Sequence, residues 1–511
     1  MNLRPLCAAL LTCLVAPSTV LSNDQTINAQ AWLPTPEDHA PTPQRIAPLL
    51  NRYQADLYSL LHIHDIEWGS GRAAALDAFY QAWQERLGAV EFDTLELEDR
   101  IDWTLWRDEL RNQRRLLGFQ QQRLQEVLPL LPSIEAVMAL AEARRALAQA
   151  DGQHSAEVLE AARAETERLR KNIDAETTEL STFTPAQAQR AVRILNATLT
   201  SIRDWHAHQD GFDPAFSYWT REPFKAYVES TEALIKDIQR KLVHSDDTEV
   251  IIGDPIGRDA LLAELDAARI PYSPERLLII AERELAWCRK EMRQAAKEMG
   301  FERWQDALEA VKQDSPAPGR QPDLVVQLAD EAIHYVTENQ LVTVPMLSRR
   351  DWRMNMLSPQ AQLEAPFFLG GEDVWVAYPH DSMPQHKKHM ALRGNNRHFS
   401  RAVVHHELIP GHHLQHFYNS RYQAHRQLFA TPFWTEGWAL YWEMLLYQRG
   451  FAQSPEDRIG MLFWRSHRAA RIQFSLAFHL GKMSPQQAVD FLVDEVGHER
   501  ENAAAEVRRS F

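Results

Sequence analysis

A mainly α-helical fold carrying a small β-sheet is predicted for this chain, on three observations. From about Ile46 onward, apolar residues recur at intervals of three and four. Helix starts are punctuated by serine–proline pairs at Ser273-Pro274, Ser454-Pro455 and Ser484-Pro485. Strand-like runs of β-branched and aromatic residues are confined to the stretch from Leu341 to Pro379. A length of 511 residues allows a large core and more than one folding unit.

The elements follow in order. Residues 1–22 read as a secretory signal peptide: Met1 to Arg4 is short and positive, Pro5 to Leu21 is apolar and uncharged, and Ser22 precedes Asn23 as a cleavage point. A lipoprotein signal on Cys13 is the alternative, with Thr12 a poor fit before it. Residues 23–45 hold several prolines without a period and are expected to form an extended arm. A helical N-terminal subdomain is assigned to 46–312. Within it, Ser273 caps a helix, Pro274 takes the first helical position, and Leu278, Ala281, Leu285, Cys288, Met292, Ala295 and Met299 form one apolar stripe. Gly300 closes that helix as a left-handed cap.

Gln313 to Pro322 is rich in turn formers and reads as a linker. A second subdomain, 323–511, is expected to interlock with the first as one unit. It opens with a helix from Asp323 to about Asn339. Short strands are predicted at Val342–Val344, Pro366–Leu369 and Val374–Tyr378, the last two joined through Gly370-Gly371 as an antiparallel sheet. Helices resume near Ser400, and Ser484 with Gln487 forms a capping box.

Composition excludes several classes. The formal net charge is −15, which argues against nucleic acid and anionic lipid as partners. No run in the body is long and apolar enough to span a bilayer, so no membrane segment is expected once the signal is removed. Of three cysteines, Cys7 and Cys13 lie in the leader. Cys288 remains alone as core filling, without a disulfide. Export to a bacterial periplasm fits this pattern.

The chemistry concentrates in His405-His406-Glu407-Leu408-Ile409-Pro410-Gly411-His412-His413. It nearly spells His-Glu-x-x-His, in which two histidines one helical turn apart share a zinc ion. On an unbroken helix His406 and His412 would point about 240° apart. Pro410 disfavours helix at Ile409, and Gly411 accepts unusual conformations. Together they can form a bulge that returns His412 to the second ligand position. Downstream, Phe433 to Glu443 places Glu436 and Glu443 seven apart on one helix face. Glu436 is the candidate third ligand, with Gly437 expected to admit a close helix approach. Glu443, His405, His413 and Gln415 are candidates to orient the ligand histidines. Glu407 stands where the water-activating base belongs.

These residues resemble the bacterial DUF885 family, which is placed with the zincin-like, gluzincin-type metallopeptidases. The resemblance rests on HHELIPGHHLQ (405–415) and EGWALYWE (436–443), and more weakly on RAARIQFSLAFH (468–479). It implies a zincin-like multi-helix fold with a deep cleft, the sheet lying beside the active-site helices. The interval of twenty-four residues from His412 to Glu436 equals that between the second histidine and the glutamate ligand in angiotensin-converting-enzyme-like peptidyl dipeptidases. In the third motif, Ser475 and Ala477 stand where the family usually has Asp and Gly.

The expected activity is zinc-dependent hydrolysis of peptide bonds in short or unfolded peptides. Zinc on His406, His412 and Glu436 lowers the pKa of its water, and Glu407 takes the water's proton. Candidates to stabilise the oxyanion are His479, Arg471, Tyr378 and Tyr441. Arg468 or Arg471 is a candidate for a substrate carboxylate, which would make the enzyme a carboxypeptidase or peptidyl dipeptidase. Val374–Tyr378 is a candidate edge strand for an extended peptide. Two readings compete. One is a non-catalytic periplasmic binding or scaffold protein that keeps the fold. The other is a zinc hydrolase of a non-peptide amide or ester.

Overall fold

A computed structural model of the chain describes residues 46–511 except 70, 147, 177–179, 245–249, 364 and 366. The predicted leader and arm therefore lie outside the described residues, as does Pro366. Helices dominate. The N-terminal part comprises α1 (Ile46–Ile63), α2 (Arg72–Gly88), α3 (Leu97–Gln125), α4 (Ile134–Arg145), α5 (Gly152–Asp174), α6 (Pro185–Gln209), α7 (Pro214–Ile238) and α8 (Gly257–Ala267). Next come α9 (Pro274–Glu298), α10 (Trp304–Gln313) and α11 (Gln321–Glu338). After the sheet follow α12 (Gln385–Gly394), α13 (Arg397–Glu407), α14 (His412–Asn419), α15 (Pro432–Gln448), α16 (Pro455–His479), α17 (Pro485–Val496) and α18 (Arg500–Ser510).

Their ends follow local chemistry. The Ser273 hydroxyl accepts from the Arg276 amide and opens α9, while Gly300 takes φ of +86° beyond its end. Capping boxes, Thr184 with Gln187 and Ser484 with Gln487, open α6 and α17. Helices resume before Ser400, contrary to the sequence reading. Asn396 caps α13 by accepting from the His398 and Phe399 amides, and polar α12 precedes it without an apolar stripe to announce it.

Three cores form. One joins α1–α3 through Tyr53, Trp83 and Trp106; a second fills the space among α4–α7. The third and largest takes residues from Cys288 to Val507. Residues 314–320 do turn between α10 and α11, but Leu308 and Val311 before that turn share this core with Leu324 and Leu328 after it. Cys288 is fully buried in the same core, and burial pushes its thiol up to about 11.

The sheet differs from expectation. Its strands are β1 (Met354–Met356), β2 (Phe368–Leu369) and β3 (Val374–Val376), in the order β1-β3-β2. β1 pairs with β3 in parallel and β2 pairs with it antiparallel, so the sheet is mixed. Val342–Val344 is not a strand; Val344 is core filling at the foot of α11. β3 is the central strand, so Val374–Tyr378 is no open edge. β1, Met-Asn-Met, is three residues long and carries no β-branched or aromatic residue to mark it as a strand.

α16 is the spine of the C-terminal part, packing against α9 and α13. Phe399 of α13 stacks on Phe463 at 4.0 Å, and a Cβ at Gly460 would overlap the His398 carbonyl. Gly460 is thus what lets α13 lie against α16. A Cβ at Gly437 would meet nothing within 4 Å, so the role expected for that glycine falls away.

The two halves are also joined through Asp254. Its buried carboxylate receives Arg190 at 2.8 Å, Arg193 at 2.7 Å and Arg123 at 2.5 Å, and its amide donates to the Phe511 carbonyl. Burial opposes the charge, yet the hydrogen bonds and charges of Arg190 and Arg123 hold this carboxyl below the ordinary Asp value. The folded state therefore binds this proton less readily than the unfolded chain. The stabilisation is complete above the unfolded Asp value of about 3.9 and is lost as pH falls through the lower folded value. Asp254→Asn should cost about 3 kcal/mol at pH 7, with the gap to wild type narrowing below about pH 4. Urea unfolding at the two pH values measures it.

Candidate metal centre

α13 delivers His405, His406 and Glu407 at its buried C-terminal end. Leu408 leaves helical geometry at φ −103°, ψ −107°, the Ile409–Pro410 peptide is cis, and α14 restarts at His412. The break is short and backbone-bonded: the Gly411 amide donates to the His405 carbonyl at 3.0 Å, and the Leu414 amide to the Leu408 carbonyl at 3.3 Å. A Cβ on Gly411 would fall on the His406 carbonyl and lie 2.6 Å from the His405 oxygen. Only glycine lets α14 start this close to the end of α13. The Trp438 indole N–H donates to the Pro410 carbonyl at 2.9 Å and ties the break to α15.

The result is convergence. The His406 and His412 rings stand 4.6 Å apart and near perpendicular. Glu436, one turn into α15, places one carboxylate oxygen 3.4 Å from His406 Nε2 and the other 3.6 Å from His412 Nε2. Glu407 Oε2 lies 4.0 Å from His412 Nε2. One donor atom each from His406, Glu407 and His412 falls within 4.8 Å of the others. Glu436 is the nearer carboxylate to both imidazoles, which suits a ligand; Glu407 is set back.

Behind this group, Glu443 Oε1 accepts from His406 Nδ1 at 2.6 Å, leaving Nε2 to face inward. Arg468 of α16 holds the same Glu443 oxygen at 2.7 Å. Burial and Arg468 oppose a charge on His406, but hydrogen bonds to Glu436 and Glu443 raise its pKa to about 9. Burial likewise opposes the Glu436 charge, and hydrogen bonds from His406 and His412 hold that carboxyl well below its usual range. Burial raises the Glu407 carboxyl. Three carboxylates around two buried imidazoles form a donor set of the type that takes a divalent cation.

A cavity of about 380 Å³ opens on this group. Phe368 and Leu369 of β2 form one wall, with Gly370 backed directly on Glu407. β2, and not β3, is the sheet edge that meets the cavity. Another part of the lining comes from α16 and α18, with His467, Arg468, Arg471, Glu506 and Arg509.

Several sequence candidates lie elsewhere. His479 ends α16 about 16 Å along the helix from Arg468; it bonds the Ser510 carbonyl and the Ile256 amide and lines no part of the cavity. The Tyr378 hydroxyl is bonded by the Gly319 amide, and Tyr441 is an exposed α15 residue outside the cavity lining. His405 points away from His406: its Nδ1 donates to the Arg401 carbonyl and burial lowers its pKa to about 4. His413 is buried against the Ser348 and Glu372 carbonyls and Asp351, anchoring a loop and not a ligand. Gln415 does line the cavity, as does Arg471.

Sequence reasoning missed His467, Glu506 and Arg509, and the bond from Arg468 to Glu443. A signal was present: His467, Arg468 and Arg471 fall on one face of α16 at spacings of three and four.

With the geometry in place, comparison with known proteins locates the chain. No curated protein matches it. Among solved structures, a "putative lipoprotein of unknown function" from Shewanella oneidensis is 17% identical, with a TM-score of 0.63 over 91% of this chain and 89% of its own. A "putative lipoprotein" from Colwellia psychrerythraea is 16% identical with a TM-score of 0.45, over 70% of this chain and 64% of its own. The first likeness is one of fold. Residues 63–511, spanning every residue of the candidate metal centre, match the model of DUF885, described as a bacterial protein of unknown function. The chain belongs to that bacterial family.

Proposed function

We propose that this chain is a zinc-dependent peptidase of zincin-like type that cleaves short or unfolded peptides. One observation carries the reading: the break at Leu408–Gly411 brings His412 against His406 and Glu436, with Glu407 beside them and Glu443 behind. His406, His412 and Glu436 are the residues to hold the ion. When bound, zinc supplies Lewis-acid polarisation of a carbonyl and activation of water.

The remaining work falls to the chain. Glu443, clamped by Arg468, fixes the His406 tautomer. Glu407 takes the proton of the attacking water and passes it to the leaving amine. Overall, water adds across the C–N bond, hydroxyl to the acyl carbon and proton to nitrogen. The edge of β2 is available to pair with an extended peptide beside Glu407. A cavity of about 380 Å³ suits a few residues of chain and not a folded protein. Export is part of the proposal, supported by the apolar N-terminal segment and by the lipoprotein description of the Shewanella oneidensis neighbour. No helix among the described residues is long and apolar enough to cross a membrane.

Elemental mass spectrometry of the purified protein tests the metal. Wild type should carry about one zinc per chain, the occupancy of a single ligand set. His412→Ala should carry almost none. Metal-free wild type after zinc supplementation would overturn the reading in favour of a binding or scaffold role.

A further inference from the structure

Resting on the peptidase reading, we infer that Arg471 and Arg509 bind the free C-terminal carboxylate of the substrate, so that the chain is shortened from its C-terminus. Three arginines line the cavity: Arg468, Arg471 and Arg509. Arg468 is engaged with Glu443 and sits 3.1 Å from His406 Nδ1, on the far side of the imidazole from Glu436. It serves the ligand histidine. Arg471 and Arg509 differ. Both bond the same carboxylate, Glu506, at 2.6 Å and 3.0 Å, and Glu506 is 2% exposed. One buried carboxylate between two guanidiniums leaves one positive charge uncompensated and holds both side chains in place. Arg471 Nε is buried with no partner among the described residues. The remaining carboxylates of the lining, Glu407 and Glu436, belong to the imidazole group.

The surroundings give the substrate a direction. A second cavity, of about 500 Å³, shares Asn419, Gln427 and Ala430 with the first and takes nothing from α16 or α18. Its wall carries the exposed aromatics Tyr422, Phe433 and Trp434. A peptide whose carboxylate rests on α16 and α18 thus has an aromatic chamber on the side away from that end. Along α16, Arg471 lies about 4.5 Å past Arg468, and one extended residue spans about 3.5 Å.

The probe is N-acetyl-phenylalanyl-alanyl-alanine, as the free acid and as the C-terminal amide. Cleavage by zinc-loaded wild type is followed by mass spectrometry, and binding to zinc-loaded Glu407→Gln by calorimetry. The acid should be cut, and bound, at least about tenfold better than the amide, as expected for a charge-assisted contact. Arg509→Gln should remove most of that preference with zinc content unchanged, and Arg509→Lys should restore part of it. Equal cleavage and binding of acid and amide, or a preference untouched in both Arg509→Gln and Arg471→Gln, would overturn the carboxylate clamp and leave the peptidase reading standing. Neither form bound nor cleaved by zinc-loaded protein would overturn the peptidase reading, and the clamp with it.

Discussion

Glu407→Gln is expected to retain zinc and to lose about two to four orders of magnitude in turnover. The substitution keeps the shape of the side chain and removes its basicity. Glu407 sits 4.0 Å from His412 Nε2, farther than either Glu436 contact, so the ion keeps its ligands. Glu407 is buried at the end of α13, with Gly370 against its carboxylate. Burial raises its pKa, which brings a carboxylate nearer the basicity that a neutral-pH proton transfer uses best. Zinc content and initial rates on a peptide library, measured on the same preparation, decide the matter. Undiminished hydrolysis with full zinc would remove Glu407 from the reaction and point to a different base.

Gly411→Ala should be strongly damaging, since its Cβ would come closer to backbone than a Cβ at any other glycine. Its Cβ would overlap backbone, the His406 carbonyl, and no rotamer change can relieve that. Overpacking of this kind costs about 3 kcal/mol. The strain would relax by moving α14 away from α13, which carries His412 out of reach of Glu436. We therefore expect a lowered urea midpoint together with lost zinc. Gly437→Ala is the matched control: a Cβ there meets nothing within 4 Å inside α15, so the change should be neutral or stabilise by up to about 1 kcal/mol. Equal behaviour of the two variants would mean that the close approach at Gly411 does not hold the site together.

A helix was legible from sequence where it carries its own signals, and α12, which carries none, was not. The Ser273 cap, the stripe through Cys288 and the Gly300 terminator are all local, and α9 forms where they place it. The short strands were not. β1, β2 and β3 span three, two and three residues, and their order rests on which backbones meet across the chain. The reading of β3 as an edge failed for that reason.

The site divides the same way. The sequence alone marked His406, Glu407, His412, Glu436 and Glu443, because their spacing is a property of helices and of one interruption. His479, Tyr378 and Tyr441 were named by chemistry without position, and each is bonded or exposed elsewhere. Only the tertiary structure decided that Gly411 fits beneath the His406 carbonyl, that Arg468 serves Glu443, and that Glu506 holds Arg471 and Arg509 against the cavity. The physical reason is separation along the chain. A helix cap or a ligand spacing acts over a few residues, whereas the link from His406 to Glu443 and Arg468 exists only once α13, α15 and α16 have packed.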